Sequence, residues 1–83
     1  MTEIRFFGYT DGCKTEEGTL KNGEREGKWT WWFQSGKKRE EATYKDEKLE
    51  GKMFIWYENG QKEEEGNYKD NEQVGKWTHW YGD

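Results

Sequence analysis

Apolar and polar side chains alternate from Lys28 to Gln34. Trp29, Trp31 and Phe33 fall on one side of the run; Lys28, Thr30 and Trp32 fall on the other. The pattern returns downstream, with Met53, Ile55 and Tyr57 set against Phe54 and Trp56. A period of two, enriched in aromatic and β-branched residues, predicts β-strands. No 3.6-residue period competes with it, and glycine recurs too often for helices. The chain contains no proline, so no strand loses a ladder donor.

The alternating runs recur at an interval of 24 residues. Gly27-Lys28-Trp29-Thr30-Trp31-Trp32 returns as Gly51-Lys52-Met53-Phe54-Ile55-Trp56 and as Gly75-Lys76-Trp77-Thr78-His79-Trp80. Ala42-Thr43-Tyr44-Lys45-Asp46 matches Gly66-Asn67-Tyr68-Lys69-Asp70. A period of this length indicates a supersecondary unit stacked on copies of itself. Ser35-Gly36, Asn59-Gly60 and Asp11-Gly12 lie between runs, and such pairs supply the positive φ of two-residue hairpin turns. Taking them as the loops, Met53 faces Gly66, Trp29 faces Ala42 and Arg5 faces Gly18, a large residue opposite a small one each time. Further turns fall at Asn22-Gly23, Asp46-Glu47 and Asp70-Asn71, and Gly27, Gly51 and Gly75 close them.

The expected fold is all-β: an elongated single-layer antiparallel meander of seven strands, near 3–9, 13–21, 27–34, 37–45, 51–58, 61–69 and 75–81. One domain covers 1–83, divided into a partial repeat (3–26), two full repeats (27–50 and 51–74) and a half repeat (75–83). One face is mostly aromatic, with Trp29, Trp31, Phe33, Tyr44, Ile55, Tyr57, Tyr68, Trp77 and Tyr81. The opposite face still carries Trp32, Trp56 and Trp80 in a row.

Composition changes this picture in two ways. Charged residues make up 39% of the chain and hydrophobic ones only 29%, a balance that leans toward disorder. The 18% of aromatics, at fixed phase, argues instead for a fold with a thin aromatic core. Thin cores of this size need support, and a single cysteine rules out an internal disulfide. One His and one Cys do not make a Cys/His zinc site, so no metal or cofactor is expected and self-association is the support left. The net charge of −4 disfavours nucleic acid, whose phosphates need a basic stripe. The N-terminus lacks a basic or apolar leader pattern, and no apolar run approaches ~20 residues, so a cytoplasmic location is expected.

Chemistry-bearing residues are few. His79 stands at the position of Trp31 and Ile55 and reads as a packing residue; Cys13 has no activating base or cation cluster implied around it. Glu63, Glu64 and Glu65 read as a cross-strand charge ladder rather than a metal cluster, because neighbours in a strand point to opposite faces. No catalytic residue is assigned. The Trp32, Trp56, Trp80 row, with Trp31, Phe54 and Tyr57, is the candidate binding surface. Two readings of it stand: aromatics stacked hairpin to hairpin to stiffen the sheet, or a contact face for a partner.

The words Gly-Lys-Trp-Thr, Tyr-Glu-Asn-Gly-Gln-Lys and Glu-Gly-Asn-Tyr-Lys-Asp, spread over Tyr9 to Tyr81, resemble the MORN repeat in its bacterial variant form. In the first unit Gly8 stands where the later ones have Trp32 and Trp56, and Arg5 where they have Trp29. Asp46-Glu47 departs from the Asp-Gly usual at that turn. The resemblance implies an elongated sheet of hairpins and a non-enzymatic interaction module. Some bacterial relatives are described as antitoxins, so a toxin is one implied protein partner. A phospholipid surface is the alternative that the family name suggests, and the acidic balance argues against it. The lipid-kinase label carried by other relatives does not transfer, because no phosphate-binding loop or metal-binding Asp/Asn pair is present. The two edge strands, unpaired along one side, invite a second copy.

Overall fold

The computed structural model describes residues 2–81. Among them there is no helix; seven antiparallel strands form one sheet in chain order. They are β1 (Glu3–Thr10), β2 (Cys13–Lys21), β3 (Glu24–Trp32), β4 (Lys38–Lys45), β5 (Lys48–Trp56), β6 (Lys62–Lys69) and β7 (Glu72–His79). The molecule measures 45 × 36 × 11 Å, the thickness of a single layer. The expected meander is the fold, and β1 and β7 are its edges.

Two kinds of turn join the strands. Asp11-Gly12, Asn22-Gly23, Asp46-Glu47 and Asp70-Asn71 hold positive φ at both residues, the type I′ geometry whose twist matches the strands. The departure at Asp46-Glu47 therefore leaves the turn type unchanged, with φ of 50° and 65°. Glu47 bears a Cβ in a region that costs a non-glycine residue about 1–2 kcal/mol. Glu47→Gly removes that strain and loses part of the gain to unfolded-chain entropy. It is expected to stabilise the protein by about 0.5–1 kcal/mol, read as a higher thermal midpoint; an unchanged or lower midpoint would refute the strain.

The other two turns correct the expectation of two-residue loops. Gly60 N–H donates to the Tyr57 carbonyl (2.9 Å) and Tyr57 N–H to the Gln61 carbonyl (2.8 Å). Phe33, Gly36 and Lys37 repeat this at 2.9 and 2.8 Å. Tyr57, not Glu58, therefore closes the loop with Gln61, and only the glycine has positive φ. This is the three-residue loop with a glycine bulge.

Bulges set the rest of the register. One residue is left over in each even strand before its Glu: Thr15 in β2, Arg39 in β4 and Glu63 in β6. Two residues are extra in each odd strand around Gly27, Gly51 and Gly75, whose φ values are 76°, 106° and 68°. These glycines sit inside β3, β5 and β7 and do not begin them, so those strands start three residues earlier than the sequence suggests. Met53 faces Gly66 and Trp29 faces Ala42, as expected. Arg5 does not face Gly18; Phe6 does, because the Thr15 bulge moves the ladder by one.

The large–small alternation then runs across the whole sheet: Phe6, Gly18, Trp29, Ala42, Met53, Gly66, Trp77. Trp29 is 1% exposed, Ala42 1% and Met53 7%, and these three are the buried hydrophobic core among the described residues. The Trp29 indole lies flat on Gly18, where a Cβ would stand 2.1 Å from the ring. Trp77 covers Gly66 in the same way at 2.2 Å. Each indole N–H donates to the carbonyl of the residue after its glycine: Thr19 and Asn67, both at 3.1 Å. Phe6 packs on Trp29 at 5.8 Å, Trp29 on Trp31 at 6.3 Å and Trp31 on Tyr44 at 6.5 Å. The Arg25 guanidinium covers Trp29, Trp31 and Tyr44 at 5.0–5.8 Å. This is the core face.

Candidate interaction face

The opposite face is built from three stripes that cross the strands. In the first, Lys14, Lys38 and Lys62 stand over Trp32, Trp56 and Trp80 at 4.8, 5.8 and 5.9 Å. Each lysine is also tied to the Glu three residues on: Lys14 to Glu17 at 2.8 Å, Lys38 to Glu41 and Lys62 to Glu65 at 2.7 Å. In a regular strand, residues three apart point to opposite faces. The bulges at Thr15, Arg39 and Glu63 are what bring each Lys and Glu to the same face. It is therefore Lys62, not Glu63, that shares its face with Glu65.

The second stripe alternates Phe7, Thr30, Phe54 and Thr78 of the odd strands with Glu17, Glu41 and Glu65 of the even ones. Phe54 stacks on Trp56 at 5.8 Å and lies 5.2 Å from Lys62 Nζ. The third stripe carries Arg5, Lys28 and Lys52 across from Thr19, Thr43 and Asn67, and Lys76 repeats their position on β7. Arg5 reaches Glu17 at 2.7 Å, and Lys28 reaches Glu41 at 3.5 Å. The expected ladder of Glu63 and Glu65 is not what forms: the carboxylates in the stripe are Glu17, Glu41 and Glu65, each paired with the Lys three residues before it, and only Glu17 and Glu41 also pair across strands.

Hollows punctuate these stripes. One of about 320 Å³ opens beside Lys14 and Trp32, and one of about 350 Å³ beside Lys62, Trp80 and Tyr81. These are the same place in two repeats. A third, of about 280 Å³, lies in the third stripe between Lys28 and Lys52, floored by Thr43 and Phe54.

Of the residues picked out by sequence, Trp32, Trp56, Trp80 and Phe54 come together on this face. Trp31 lies on the core face, where its indole N–H donates to Glu16 at 2.8 Å. Tyr57 opens a hairpin loop, and its hydroxyl donates to the Trp80 carbonyl at 2.7 Å. His79 takes the position of Trp31 and Ile55, opposite Glu64, and packs on Tyr81 at 5.8 Å. Cys13 is half-buried at the start of β2. Among the described residues no three of His, Cys, Asp and Glu are grouped to hold a metal.

Two features escaped sequence reasoning. Tyr9, not Gly8, completes the aromatic row: it pairs with Lys14 as Trp32 pairs with Lys38 and Trp56 with Lys62. The row is displaced by one because the Asp11-Gly12 loop is one residue shorter. The lysine row was missed as well. Its recurrence at 24 residues was the available signal, and the bulges that turn it onto this face leave no such mark.

Electrostatics differ between the faces. Hydrogen bonds from Lys14 and then Arg5 hold the Glu17 carboxyl below its ordinary value of 4.5. Its stabilisation is present above that value and is lost as pH falls through the lowered one. On the core face Glu40, paired with Trp31 and Ile55, is pushed above 4.5 by burial, with Arg39 partly opposing. A raised carboxyl has the opposite sign: it costs stability above its folded-state value and nothing below the ordinary one. Glu40→Gln should therefore stabilise the protein near neutral pH by less than about 1 kcal/mol, read as a higher thermal midpoint, and lose that gain in acid. A gain that persists in acid would assign it to packing instead.

No curated protein and no solved structure matches the chain. The family model described as the MORN repeat variant matches residues 25–46 and 49–70, more than half of the chain. These segments are the hairpins β3–β4 and β5–β6, each with one large–small core pair, Trp29–Ala42 or Met53–Gly66, and one Lys–Glu pair, Lys38–Glu41 or Lys62–Glu65. The chain belongs to the MORN repeat variant family.

Proposed function

We propose that this protein is a non-catalytic protein-interaction module that seats its partner on the face carrying Tyr9, Trp32, Trp56, Trp80 and Phe54. MORN repeats are generally protein- and lipid-interaction motifs. One observation carries the choice of face: the buried hydrophobic core lies on the other side, and this aromatic row is half-buried at Trp32, Trp56 and Phe54 and open at its two ends. Trp80 is 40% exposed and Tyr9 63%. Lysines pin the indoles, which lowers the entropy lost on binding. Trp56→Ser is expected to weaken partner capture by about 2 kcal/mol, roughly thirtyfold, with the fold retained. Affinity capture by wild type and variant in parallel tests this; equal capture would overturn it. A turnover screen with hydrolase and phosphoryl-transfer substrates should be blank. The narrower assignment, an antitoxin whose partner is a toxin, draws on family resemblance alone, and toxicity of the captured partner on expression tests it.

Self-association is the second reading, favoured by where apolar surface is left. The exposed large side chains lie on the outermost strands or just beyond them: Ile4, Phe6, Phe7 and Tyr9 at β1, and Val74, Trp80 and Tyr81 at β7. Unpaired edge strands with apolar side chains promote pairing with another copy. Light scattering that finds only monomer at every accessible concentration would eliminate this reading.

A further inference from the structure

The charge of the interaction face is opposite to that of the protein. Its three stripes hold Arg5, Lys14, Lys28, Lys38, Lys52, Lys62 and Lys76 against Glu17, Glu41, Glu65 and, opposite Thr19, Glu26, while the chain as a whole is −4. Glu17, Glu41 and Glu65 are already in ion pairs. Among the described residues, no carboxylate lies within ion-pair distance of Lys52 or Lys76. The hollow between Lys28 and Lys52 is lined by both lysines, Glu41, Thr43 and Phe54; the Glu41 carboxylate is engaged by Lys28 and Lys38, which leaves Lys52 as the cation without a partner there.

We propose that the partner is bound through an acidic peptide segment lying across the strands, with carboxylates on the Lys28–Lys52–Lys76 stripe and aromatic or aliphatic side chains on the tryptophan row. The inference rests on the interaction-module reading and adds the chemistry of the partner. Its spacing is set by the sheet: cations on alternate strands repeat every ~9.6 Å, twice the strand separation, and one three-residue turn of polyproline II chain spans ~9.3 Å and returns every third side chain to the same side. An acid at every third position matches the stripe.

A flat anionic membrane fits less well. The end of the sheet beyond the third stripe carries Asp46, Glu47, Glu50, Asp70 and Glu72. A planar surface large enough to reach all the lysines would press on these acids too. A narrow segment centred on Lys28, Lys52 and Lys76 need not lie over the turn acids, and exposed charges more than ~8 Å away are largely screened.

The test uses a fluorescein-labelled dodecapeptide of Glu-Gly-Tyr repeats, its Gln-Gly-Tyr analogue, and phosphatidylserine vesicles. The acidic peptide should bind at least about tenfold tighter than the glutamine one and weaken with added salt. K52E and K52E/K76E break no ion pair, so they should fold and progressively abolish binding. A Lys-Gly-Tyr peptide should bind the double variant better than wild type. Equal binding of the acidic and glutamine peptides, or no binding of either, overturns the proposal. So does vesicle sedimentation dependent on Lys52 and Lys76 without peptide binding, which assigns the stripe to lipid. If Trp56→Ser abolishes partner capture while K52E/K76E leaves it intact, the face stands and its acidic preference falls.

Discussion

Trp29→Ala is expected to unfold the protein at room temperature. Trp29 is the largest fully buried side chain among the described residues, and truncating such a residue costs about 3–5 kcal/mol. A core in a domain this small rarely supplies more than ~3–5 kcal/mol in total. The change also leaves the Thr19 carbonyl without its indole donor and uncovers Gly18 and Phe6 together. Trp29→Phe keeps the ring against Phe6 and loses only the donor and part of the area, so it should remain folded with a lower midpoint. Far-UV and near-UV circular dichroism during thermal melting distinguish the two. A Trp29→Ala protein melting within a few degrees of wild type would show that the core lies elsewhere.

The second large effect is a coupling. Gly18 precedes Trp29 by eleven residues, Gly66 precedes Trp77 by eleven, and at the same offset Ala42 precedes Met53. Wherever the small residue is glycine the large one is an indole lying on it; where a methyl group intrudes, a flexible thioether takes the place. Met53→Trp alone should destabilise by about 1–3 kcal/mol, because the ring meets the Ala42 methyl. Ala42→Gly alone should cost about 1 kcal/mol, more where Met53 and Trp29 lose contact. Combining them recreates the Gly–Trp unit, with an indole N–H able to reach the Thr43 carbonyl. The double variant should be more stable than the sum of the singles by about 1–3 kcal/mol, measured by chemical denaturation. Strict additivity would mean that the offset has no packing basis. Gly18→Ala, lacking a compensating change at Trp29, should be among the most damaging single-methyl additions in the chain.

Much of this architecture is written in side-chain alternation and in the 24-residue interval, because both reflect one strand period and one repeated unit. What the pattern hides is every place where the ladder slips. The pairs Met53–Gly66 and Trp29–Ala42 came out correctly through two opposite errors: each loop is one residue longer than a two-residue turn, and each bulge, at Glu63 or Arg39, restores the count. In the first hairpin the loop does have two residues and only the Thr15 bulge acts, so Arg5–Gly18 became Phe6–Gly18. Glycine has a comparable ambiguity. At Gly12 and Gly23 positive φ makes a turn, whereas at Gly27, Gly51 and Gly75 it makes a bulge within a strand. Composition does not distinguish the two uses. The tryptophan row was legible for the same reason as the fold, since it shares its period. The lysines that complete it were not, because residues three apart meet on one face only after a slip that depends on backbone geometry.

Each strand hydrogen-bonds only to the strands next to it in sequence and packs mainly on them, with contacts such as Phe6–Trp29 reaching one strand further, and the stripes inherit that locality. The molecule therefore behaves as a ruler marked in intervals of two strands. A bound segment is read one interval at a time, by whichever Lys–Glu–Trp unit lies beneath it. Contacts at one mark have no packed path to a mark two intervals away except through the hairpin between. Excising one 24-residue interval should shorten the footprint by ~9.6 Å while leaving the remaining marks unchanged. Selectivity among partners then becomes a matter of how many successive intervals a segment can satisfy, so affinity is graded by length.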